Sequence, residues 1–123
     1  MDVTYLGVAV AGALGAPARY LVDGWVQRRT DAEIPVGTMA VNLSGSFLLG
    51  LLAGLVLHHG FPHTPQVLLG AGFCGAYTTF STFMFETVRL TEERARFQAL
   101  VYLAVSLGGG LAAAALGLAL GGR

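Results

Sequence analysis

Gly72-Phe73-Cys74-Gly75-Ala76-Tyr77-Thr78-Thr79-Phe80-Ser81-Thr82-Phe83-Met84-Phe85-Glu86 is the stretch on which the fold turns. It is apolar enough to sit in hydrocarbon, yet glycines followed by β-branched and hydroxylated residues make a poor helix. The apolar run around it is long, with no Asp, Glu, Lys or Arg from Ile34 to Phe85. A crossing takes about 20 residues at ~1.5 Å each to cover about 30 Å. The weak spot therefore falls near the middle of a span that begins close to Pro65, and a break at the midplane is expected. Backbone groups freed there must be buried in protein or turned toward an ion, because lipid cannot hydrogen-bond them. Freed carbonyls are hard oxygen ligands suited to a small cation.

Working outward, Val3 to Ala18 and Phe97 to Gly122 are also free of charged residues. Of the 123 residues, 54% are hydrophobic and 11% are charged, against about 25% charged in a soluble domain. A water-soluble enzyme is excluded, and the chain reads as one domain, an all-α integral membrane protein with four transmembrane helices. The expected spans are residues 3–22, 36–57, 65–88 and 97–120, with both ends on one side. Formal net charge is zero, which gives no basic footprint for nucleic acid. Met1 and Asp2 provide no basic n-region, so the first apolar run reads as a retained span and not as a signal peptide. The lone Cys74 reads as a small packed hydrophobe. Glycines such as Gly12, Gly15, Gly45, Gly50, Gly54 and Gly72 suit the close backbone approach by which helices associate in lipid. Arg28, Arg29, Arg89, Arg94 and Arg96 lie in the two charged connectors and Arg123 on the other side, a bias that favours connectors in the cytoplasm.

Polar side chains at membrane depth are expensive and each is a functional candidate. Thr38, Asn42 and Ser46 recur at i, i+4 and i+8 and share a helical face. They read either as interhelical glue, at about 0.6 kcal/mol per bond, or as donors to an anion, for which the Asn42 amide has two protons. Phe80 and Phe83 share a face with Thr79 and Glu86. Such a pair packs a core or meets lipid, unless its positive ring edges contact an anion. Tyr102 and Ser106 extend a polar stripe on the fourth span, and Glu86 marks the far end of the third. Arg19 either snorkels to the interface or draws anions into a vestibule. His58, His59 and His63 share a short proline-bearing loop without a carboxylate and read as solvated. No catalytic set is visible, since Ser81 and Ser106 lack a base.

Gly12-Ala13-Leu14-Gly15-Ala16-Pro17-Ala18-Arg19-Tyr20, Pro35-Val36-Gly37-Thr38-Met39-Ala40-Val41-Asn42 and Gly72 to Phe83 resemble, in order and spacing, the three signatures of the CrcB/Fluc fluoride channels. The Thr-Thr-Phe-Ser-Thr-Phe run is the specific part, and Ala11, Met39 and Ala76 are small departures. The resemblance implies an antiparallel, dual-topology homodimer in a bacterial or archaeal-type cell (inner) membrane, with two fluoride pores at its interface. It implies that Asn42, Phe80 and Phe83 line the pores, joined by Ser81, Thr82, Tyr102 and Ser106, with Arg19 at the vestibule; the polar face of the second span adds Thr38 to the pore, and the position of Glu86 at the far end of the third places it at the pore end. The resemblance also implies a structural sodium ion at the dimer centre, held by the backbone carbonyls of Gly75 and Thr78.

The resemblance thus implies passive, fluoride-selective export that relieves toxicity, and no enzyme activity. The rival is a small four-helix multidrug or cation-proton antiporter, which needs a deeply buried carboxylate, normally on the first span. The expected first span has none, and Glu86 lies too near the edge of the third.

Overall fold

The computed structural model describes residues 3–31 and 34–123. Residues 1 and 2, on which the retained-span reading rests, and residues 32 and 33 of the first connector lie outside the described residues. The chain is helical, with α1 over Val3–Gln27, α2 over Val36–His59 and α6 over Arg96–Gly121. The remaining span, His63–Glu92, is interrupted. It comprises α3 (His63–Val67), a π-helical segment Leu68–Cys74, the single turn α4 (Gly75–Tyr77) and α5 (Phe80–Glu92). Among the described residues four helices are long and apolar enough to cross a membrane, so this is a multi-pass membrane protein.

The expected break is present. Thr78 and Thr79 are both extended, at φ/ψ of −80°/158° and −148°/119°, and they part α4 from α5. The π-helical segment before them was not expected. Its wide winding brings the Phe73 carbonyl against Gly15 of α1, where any side chain would collide with it. Gly72 meets Ala11 and Val8 of the same helix. The first span also ends later than expected, because α1 continues through Asp23 to Gln27. Tertiary partners support that extra turn. Gln27 accepts a hydrogen bond from the Gly37 backbone N–H at 3.0 Å, and the Arg29 guanidinium stacks 4.0 Å from the Trp25 ring centre.

Helices α2 and α6 form the most extensive contact in the chain. Their backbones touch, since a methyl on Gly50 would strike the Ala114 carbonyl and one on Gly117 would strike that of Phe47. In lipid such close approach drives association by dispersion without water exclusion. Helix α2 ends on Gly60, whose φ of 61° is a left-handed cap that an L side chain resists. A buried cluster of Phe83, Leu90, Ala99 and Tyr102 fastens α5 to α6. These contacts fix the frame in which the interruption sits.

Candidate functional site

The interruption at Thr78–Thr79 is held by one side chain from α2. Asn42 Oδ1 accepts from the Thr79 backbone N–H at 2.9 Å, and Asn42 Nδ2 donates to the Thr79 carbonyl at 2.9 Å. Asn42 therefore does the gluing considered for it while keeping its second amide proton for another acceptor. The Thr79 hydroxyl accepts from the Thr82 N–H at 3.2 Å and so caps α5. On the other side of the break, the Thr78 hydroxyl and N–H both donate to the Cys74 carbonyl, each at 2.9 Å.

These bonds account for two of the carbonyls set free at the break. In a continuous helix Gly75 would accept from Thr79 N–H and Thr78 from Thr82 N–H. Those donors point instead to Asn42 and to the Thr79 hydroxyl, so the Gly75 and Thr78 carbonyls lose their helical partners. Ser44 of α2 adds a hydroxyl contact to Tyr77 at 2.9 Å. Sequence reasoning missed Ser44, which lies off the face shared by Thr38, Asn42 and Ser46.

Two cavities meet at the break, and Thr79 lines both. The larger, about 550 Å³, is bordered by Asn42, Ser46, Thr79, Phe80, Phe83 and Ser106. The Phe80 and Phe83 rings on its border stand edge to face against each other, with centres 6.1 Å apart. Their environments differ, since Phe83 is 4% exposed and Phe80 is 72% exposed. The Ser106 hydroxyl is shielded and has no hydrogen-bond partner. The smaller cavity, about 160 Å³, is bordered by Arg19, Tyr20, Asp23, Thr38, Thr79 and Thr82.

The structure thus brings together Thr38, Asn42, Phe80, Phe83, Thr82, Ser106 and Arg19 around one broken backbone. Tyr102 is fully buried behind Phe83, with ring centres 5.2 Å apart. Its hydroxyl donates to Glu86 Oε1 at 3.1 Å, which ties two of the expected residues to each other. Ser81 is exposed on α5 and borders neither cavity. The three histidines are exposed, and a ring nitrogen of His59 lies 2.7 Å from the Arg123 backbone oxygen. Among the described residues no group of three His, Cys, Asp or Glu could hold a metal. A cation here would depend on backbone oxygens. Asp23 falls just beyond the expected first span, residues 3–22, and α1 carries it into the smaller cavity beside Arg19.

The family profile described as "CrcB-like protein, Camphor Resistance (CrcB)" matches residues 6–118. The chain belongs to the CrcB family. A relative from Leifsonia xyli subsp. xyli, named fluoride-specific ion channel FluC 1, is 48% identical over 95% of this chain and 85% of its own. The FluC 2 channel of Mycobacterium bovis is 50% identical over 92% of this chain and 86% of its own. The FluC 1 channel of Symbiobacterium thermophilum is 50% identical over 97% of this chain and 98% of its own. The CrcB match covers all four stretches that carry the cavities, namely the Arg19 region of α1, the Thr38–Ser46 face of α2, the interrupted span and the Ser106–Ala114 wall of α6.

Proposed function

We propose that this protein is a fluoride-selective channel that exports the ion passively and relieves its toxicity. The observation that carries the reading is Asn42 clamped on Thr79 where the two cavities meet, with the Phe80 and Phe83 rings on the larger one. Moving a small anion from water into a low-dielectric interior costs tens of kcal/mol unless its water is replaced. The replacements available are the spare Asn42 proton, the Thr38, Thr82 and Ser106 hydroxyls, and the positive edges of the two rings. None is a fixed charge, which suits an ion that must leave again. Arg19 supplies a positive charge at the mouth of the smaller cavity, which it shares with Asp23.

The proposal includes a homodimer. The larger cavity is open along one side of a single chain, with the exposed Phe80 on its rim and the partnerless Ser106 hydroxyl in its wall. A second copy inserted antiparallel in the bacterial or archaeal-type inner membrane encloses it and creates two pores. The freed carbonyls of Gly75 and Thr78 fit a sodium ion, because hard oxygens from two chains converging on an axis supply what one chain lacks. A bound sodium would serve as the electrostatic partner of those carbonyl dipoles; the chain's own part is the diversion of their donors by Asn42 and Thr79. Conduction makes and breaks no covalent bond, so no enzyme activity is assigned. The antiporter reading is disfavoured, because Asp23 is four residues from the end of α1 and lines a mouth, away from mid-span.

The test is fluoride-electrode efflux from liposomes containing the purified protein, with chloride as the comparison ion. Fluoride release without chloride release is expected; equal release of both, or neither, overturns the reading.

A further inference from the structure

The smaller cavity carries two opposite charges on one wall. Arg19 and Asp23 are one turn apart on α1 and both line it, facing Thr38 of α2 and Thr79 and Thr82 of the broken span. Asp23 also reaches the start of α2, where a methyl on Gly37 would collide with its carboxylate. That helix begins without a side-chain cap of its own, since Pro35 provides none. The free N–H groups and partial positive charge of a helix start attract anions. Here α1 meets them in advance, with Gln27 accepting from the Gly37 N–H at 3.0 Å and the Asp23 carboxylate one turn earlier.

We propose that Asp23 is a tethered competing anion that sets how readily a small anion enters the smaller cavity. The inference rests on the fluoride reading and adds a specificity-determining residue to it. Arg19 and the start of α2 together make a mouth that would hold an anion strongly. The Asp23 charge offsets both, and an entering halide meets a wall close to neutral. This lowers capture at low fluoride and speeds passage beyond the mouth. The other ionisable pair nearby, Glu86 with Tyr102, lies behind Phe83 and does not line this cavity.

The prediction has a sign opposite to that expected of a residue that merely supports the fold. Asp23→Asn removes the charge at nearly constant volume, and Asp23→Ser removes it while keeping a hydroxyl that serves a helix start. Initial fluoride efflux from proteoliposomes is measured at low fluoride, first in about 0.01 M salt and then in about 0.15 M, where the Debye length falls from about 30 Å to about 8 Å. Both variants are expected to exceed wild type several-fold at low salt, with a lower half-saturating fluoride concentration, and to lose most of that gain at the higher salt. Asp23→Glu is expected to restore wild-type behaviour. A folded variant with unchanged or slower entry, or a gain that salt does not reduce, overturns the proposal. Failure of both Asn and Ser variants to fold also overturns it, by making Asp23 a structural cap. A wild type silent toward fluoride removes the underlying channel reading, whereas a conducting wild type with an indifferent Asp23→Asn removes this inference alone.

Discussion

The seam between α2 and α6 and the interrupted third span belong to the same bundle, yet they satisfy their backbones in opposite ways. Along the seam both helices are unbroken, and glycines let the two backbones touch at Gly50 and Gly117. At Thr78–Thr79 the ladder stops and side chains do its work, Asn42 from outside the span and the Thr79 hydroxyl from within. The seam needs only small residues, a requirement many sequences meet. The interruption needs a particular amide at a particular place, and what it leaves is backbone oxygens without their helical partners and a spare amide proton on Asn42.

Substitutions that test this contrast differ in size. The largest effect is expected from Asn42→Leu, which orphans the N–H and the carbonyl of Thr79 at about 1–3 kcal/mol each. Thermal unfolding in detergent should fall sharply and efflux should vanish. Asn42→Asp keeps the acceptor for Thr79 N–H but brings a negative charge and no donor; it should unfold later than the leucine variant and still pass no fluoride. Next comes Gly50→Val or Gly117→Val, which drives a side chain into backbone that cannot yield, at about 1–3 kcal/mol. This variant should lose stability and flux together, whereas a pore substitution separates them. Phe80→Ile or Phe83→Ile sharpens that separation, with efflux slowed far more than dimer assembly as followed by size-exclusion chromatography. The smallest change in stability is expected for Ser106→Ala, because its hydroxyl has no partner to lose. Unfolding should shift by no more than about 0.5 kcal/mol while fluoride efflux declines; an unchanged efflux would remove Ser106 from the path.

The seam and the number of spans were legible in the sequence, because absence of charge and frequency of glycine are properties of one stretch read alone. The break was legible too, since Gly75 and the Thr78–Thr79 pair weaken a helix wherever they stand. The π winding of Leu68–Cys74 was not legible, because it depends on how α1 receives the Phe73 carbonyl at Gly15. Nor was the extension of α1 to Gln27, which relies on a bond to Gly37 across the first connector. Asn42 illustrates the limit most directly. Its place on a polar face followed from helical spacing, but its partner, the Thr79 peptide unit 37 residues away, is set by the packed fold. Asp23 was overlooked for the same reason, as a charge at a span's end looks like any other until a neighbouring helix begins beside it.

The wide winding of Leu68–Cys74 has a consequence for the chain's evolution. A π turn holds one residue more than an α turn, so this segment carries spare length just ahead of the break. Loss of one residue there can be absorbed by rewinding to the tighter form, whereas the same deletion in a regular helix would rotate everything after it by roughly 100°. A one-residue deletion upstream of Thr78 can therefore be taken up there while the grip of Asn42 on Thr79 stays in register.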